Sequence, residues 1–112
     1  MPEEADVTEL LRAVGRLADR LRAAPQSVLL RGAAAEGLAL AGEMAELAQR
    51  CECPGRPPRP LPEADVFTVG DQVAVTGHDL AEAVRATGEP GAVRAAAELL
   101  PRLHAAAGAT GR

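Results

Sequence analysis

The chain has 112 residues, a net charge of −4, one aromatic side chain (Phe67) and arginine as its only strong base. That length bounds it to a single domain, 1–112, with one modest core. The acidic balance argues against a general nucleic-acid or anionic-membrane binder, since both need a concentrated positive field. Ala and Leu dominate the apolar content and aromatics are nearly absent, so the expected class is all-α.

No run reaches 18 apolar residues without a charge, which predicts no membrane span. The stretch MPEEADVTELL is acidic and has no apolar signal segment, so the expected location is the cytoplasm. There, Cys51 and Cys53 are expected as reduced thiols.

Asp6 followed by Glu9 has the spacing of a capping box and predicts a first helix over about 6–24. Leu10, Leu11, Val14, Leu17, Ala18 and Leu21 form its apolar stripe. Pro25 restricts the residue before it and ends the helix. Ser27 is a good N-cap for a second helix over about 27–50. Its inner face reads Leu30, Ala34, Gly37, Ala41, Met44 and Ala48. Gly32, Gly37 and Gly42 each cost about 1 kcal/mol relative to Ala in a helix, which points to close approach of a neighbouring backbone. The short link predicts that the two helices pair as an antiparallel hairpin.

Residues 51–65, CECPGRPPRPLPEAD, form a proline-rich connector with no regular structure. The valines of Val66–Thr87 admit two readings. A hairpin turning at Gly70-Asp71 mixes polar and apolar residues on both faces. A helix over about 68–87, capped by Thr68 with Asp71, gathers Val69, Val73, Thr76, Leu80 and Val84 on one side. It leaves Asp71, Val75, His78, Glu82 and Arg85 on the other. The helix is the cleaner assignment, with Gly77 its weak point. Gly88 stops it. Pro90 opens a fourth helix over about 90–107, with Val93, Ala96, Ala97, Leu100, Leu103 and Ala107 inward and a kink at Pro101. The closing residues read as a loose tail. Together these elements predict an antiparallel four-helix bundle with a long Pro-rich connection between helices 2 and 3.

Chemistry-bearing residues are sparse. Cys51, Cys53, His78 and His104 are enough ligands for tetrahedral zinc, but C-x-C is tighter than the usual spacing, and no metal or other cofactor is expected. His104 is read at the core edge beside Leu100 and Leu103. Arg12, Arg16 and Arg20 make a broken basic stripe, read as a solvated face. His78, read as exposed on a helix of a bundle, lies in the string TGHDLAEA. This resembles the arrangement in histidine phosphotransfer domains, with a small residue before the histidine and a leucine two after it. The lysine that follows in that family is missing. The resemblance implies a phosphoryl-accepting imidazole.

The expected function is a small non-enzymatic protein-interaction domain whose partner is a second copy of the chain, a homodimer, with no nucleic acid and no membrane. The alternatives are phosphotransfer through His78, or metal or thiol binding through Cys51 and Cys53.

Overall fold

The computed structural model describes residues 6–62 and 65–111, and every regular element among them is helical. The elements are α1 (Thr8–Ala23), a single turn α2 (Gln26–Val28), a π turn (Leu29–Ala33), α3 (Ala34–Glu52), α4 (Val69–Thr87), α5 (Pro90–Glu98) and α6 (Leu100–Thr110). Among the described residues there is no strand, so the helical reading of Val69–Thr87 holds and the hairpin does not form.

In α1, Leu10, Val14, Leu17, Ala18 and Leu21 are buried as the stripe requires. The start differs from expectation. The Asp6 carboxylate accepts the Thr8 N–H at 2.9 Å, and the helix opens at Thr8 behind a buried Val7. Ala24 is extended (ψ 139°), the geometry that the following proline imposes.

The second predicted helix is interrupted. Gln26, not Ser27, is its first helical residue, and no side chain caps it. Gly32 then takes φ 139°, ψ −18°, inside a π turn. A side chain is strained there and glycine is not. The wide turn inserts one residue, and each helical residue advances about 100° around the axis. The chain before Gly32 is therefore re-phased, and Leu29 enters the core while Leu30 turns outward, 2% against 64% exposed. Beyond the break, Ala34, Gly37, Ala41, Met44 and Ala48 are buried as expected, Leu40 is buried with them, and the helix continues to Glu52. Cys51 thus belongs to its last turn and not to the connector.

In α4, Val69, Val73, Thr76, Leu80 and Val84 are buried, and Asp71, Val75, His78, Glu82 and Arg85 are exposed. The predicted Thr68–Asp71 box is absent. The Thr68 hydroxyl donates to the Asp65 carbonyl (3.0 Å), and Asp71 is taken by Arg22 of α1 at 2.8 Å. Gly88, at φ 60°, closes the helix by donating its N–H to the Val84 carbonyl. The last predicted helix breaks at Leu99, two residues before Pro101. The break re-phases this helix too: Ala97 is exposed, and Leu99 and Ala106 are buried. The supposed tail stays helical to Thr110, whose hydroxyl donates to the Ala106 carbonyl at 2.8 Å.

The core is aliphatic throughout, with Leu17, Leu40, Met44, Val73, Leu80 and Leu103 fully enclosed. The α4 helix packs between α1 and α3, and α6 packs on α1. The predicted pairing of the first two helices is not what the chain does, because α1 and α3 scarcely touch and α4 lies against both. Along α1 and α4, Val14 meets Gly77 and Arg22 meets Gly70, so these two run in opposite directions. In contrast, Val69 sits against Gly37 while Thr87 shares a groove with Leu47 and Cys51. The α3 and α4 helices therefore run the same way. This follows from the path of Cys53–Pro62, which returns along α3 before α4 begins, its Pro58–Leu61 stretch lying beside Ala39, Gly42 and Glu46.

Candidate interaction surface

The small-residue face of α3 is where the sequence points to close approach of a neighbour. Most of it is consumed internally. A Cβ at Gly37 would come within 2.9 Å of both Leu21 and Val69, whereas Gly42 and Gly32 face open space. The close glycine contacts that sequence reasoning missed are on α4, at Gly70 and Gly77, seven residues apart and both against α1. That spacing is two turns of helix, and it is the signal that could have found them.

What remains outside is a short set of large apolar side chains. Phe67 is 62% exposed, Leu30 64% and Val75 60%. Phe67 is the only aromatic residue of the chain, and aromatic side chains carry the largest burial gain when covered. Phe67 and Leu30 belong to one end of the molecule. That end holds the last turns of α1, the π turn and the start of α4, drawn together by Arg22 on Asp71 and by Gly37 under Leu21 and Val69. Val75 lies two turns along α4 on the face shared with Asp71 and His78. Leu30 was expected inside; the π turn is what places it here. The hydrogen bonds that hold Phe67 are local, with its N–H on the Asp65 carboxylate at 2.9 Å.

The other named residues are spread over the surface. His78 is exposed on α4, where Arg85 is tied to Glu82 at 3.1 Å. His104 is exposed on α6, not at the core edge. Cys51 is half-buried in the last turn of α3 and Cys53 is exposed at its C-cap, both as free thiols. Burial, and then the Glu52 charge, push the Cys51 thiol up from its ordinary pKa. Among the described residues no three His, Cys, Asp or Glu side chains converge on a point that could hold a metal ion. The four zinc-candidate residues are therefore not assembled. In the arginine stripe, Arg12 and Arg16 are exposed, and Arg20 donates to the Ala107 carbonyl near the C-terminus of α6 at 3.2 Å. A cation there satisfies a late helical carbonyl and the helix dipole.

The interior offers little polar chemistry. Thr76 and Thr110 are the buried polar side chains among the described residues, and each hydroxyl bonds back to its own helix. No described helix is long and apolar enough to cross a membrane. Comparison of the chain with family models, curated proteins and solved structures gives no match.

Proposed function

We propose that this chain is a non-enzymatic helical interaction domain that acts by binding protein, and that the protein it binds is a second copy of itself. In this reading the helices form one four-helix bundle, with the proline-rich segment as its long crossover along α3. The observation that carries the proposal is the exposure of Phe67, the sole aromatic, at the same end as Leu30. A two-fold dimer brings the same surface from both copies together, so one contact covers the exposed apolar residues of both. The buried hydroxyls of Thr76 and Thr110 are spent on their own helix backbones, which supports a binding role over catalysis.

The test is sedimentation across the micromolar range. The expected result is twice the chain mass, with Phe67→Ser combined with Leu30→Ser returning the monomer at an unchanged helix content. A parent chain that sediments as a monomer up to about 100 µM, a concentration where contacts weaker than roughly −5.5 kcal/mol stay apart, removes the dimer.

A further inference from the structure

We propose that the segment Arg56–Pro62 is a preformed polyproline ligand, presented to a partner domain that has an aromatic-lined groove with an acidic rim. The inference does not rest on self-association.

Four of the six residues from Pro57 to Pro62 are proline. Their exposure repeats every three residues: Pro58 and Leu61 are half-buried, while Pro57, Arg59, Pro60 and Pro62 are exposed. Three residues is the repeat of the polyproline II helix. Leu61 packs against the hydrophobic core. One face of the three-sided rod is thus laid on α3, and the other two are left exposed.

Two glutamines hold the rod in place. Gln49 of α3 brackets Arg59, accepting its N–H at 2.6 Å and donating to its carbonyl at 3.3 Å. Gln72 of α4 donates to the Pro62 carbonyl at 3.3 Å. A segment ordered before it meets a partner has already lost the conformational freedom that binding would otherwise remove.

The outward faces carry a specific pattern. Arg56-Pro57 and Arg59-Pro60 are two X-Pro pairs three residues apart. Grooves that read polyproline take proline-containing ridges between aromatic side chains. Among the described residues neither Arg56 nor Arg59 makes an ion pair, as is also true of Arg12, Arg16, Arg31 and Arg94. Two such guanidinium groups beside the prolines, on a chain that is otherwise acidic, call for carboxylates at the groove rim. The occupant is not a second copy, because a groove lined with aromatics needs several and this chain has Phe67 alone.

The probes are purified SH3 and WW domains, the common modules with such grooves, titrated into the isotope-labelled full-length chain. The expected result is that at least one domain binds and shifts the Arg56, Arg59 and Leu61 amides. Pro57→Ala with Pro60→Ala then weakens binding at least about tenfold, equivalent to about 1.4 kcal/mol, at an unchanged melting temperature. Arg56→Glu, which leaves every proline in place, weakens it as well, and rising salt does the same to the parent. Failure of every domain to bind overturns the proposal. So does binding that the proline variants leave intact, or shifts confined to Phe67 and its neighbours.

Discussion

Gly77 of α4 lies directly against Val14 of α1, so close that a Cβ built on the glycine would stand 2.6 Å from Val14 Cγ2 and 3.0 Å from its Cβ. The glycine read as the weak point of its helix is where a neighbouring side chain fills the space a Cβ would take. Val14 is β-branched, fully buried and stiff about its first torsion, so it has little freedom to yield. Gly77→Ala gains about 1 kcal/mol of helix propensity and incurs about 1–3 kcal/mol of overpacking. The expected outcome is net destabilisation of up to roughly 2 kcal/mol in a denaturant melt. Gly77→Ala should cost less in a Val14→Ala background than in the parent, because contacting residues couple. Strict additivity of the two changes would show that the contact is not what excludes the methyl group.

Gly42 is the opposite case on a neighbouring helix. It sits inside α3, and a methyl group added to it would meet nothing within 4 Å. The same substitution there should stabilise by about 0.5–1 kcal/mol, through helix propensity and a less flexible unfolded chain. A melt in which Gly42→Ala and Gly77→Ala shift in the same direction would contradict the packing described.

Gly32 tests the π turn. Its φ of 139° lies where L side chains are strained, although the space around it is open. Gly32→Ala should therefore cost about 1–3 kcal/mol of backbone strain, with no clash to relieve. If the helix responds by straightening, Leu30 turns inward and Leu29 outward, which a thiol-accessibility comparison of Leu29→Cys and Leu30→Cys would register.

Arg102 ties α6 to α3 through Glu43 at 2.6 Å and Glu36 at 3.7 Å. The hydrogen bond to Glu43, above all, raises the arginine pKa further from neutrality, so this residue stays charged at any working pH. The groups are close to half exposed, and solvent screens them. Arg102→Gln should cost only about 0.5–1 kcal/mol, and the difference from the parent should shrink in about 1 M salt. A loss that salt leaves unchanged would mean the arginine acts through its aliphatic stem.

The Cys51 thiol gives a pH dependence. Burial, followed by the Glu52 charge, raises its pKa, and only the thiolate is nucleophilic. In a Cys53→Ser background, alkylation of Cys51 at about pH 8 should be slower than that of a free thiol, and should still be rising above the ordinary thiol range of about 8.5. The folded state favours the neutral thiol, so its small stabilising contribution is complete below the unfolded pKa. It is lost as pH rises through the folded pKa. A rate that levels off at or below the ordinary range would refute the burial of this group.

The periodicity of the sequence by itself determined where most helices lie and which faces they bury. Val69, Val73, Thr76, Leu80 and Val84 needed only the 3.6-residue repeat to be assigned inward. Pro25, Gly88 and Pro101 marked ends and breaks because their limits are covalent and local. Periodicity carries no information about a single inserted residue, so it sent Leu30 inward where the π turn sends Leu29. Nor does it say which helix faces which. That α4 lies between α1 and α3, that Gly77 rather than Gly42 is the crowded glycine, and that the proline segment runs back along α3 were decided only by tertiary packing. Those relations join residues dozens of positions apart, such as Val14 and Gly77 or Arg22 and Asp71. The local pattern around each residue is the same whichever partner it meets.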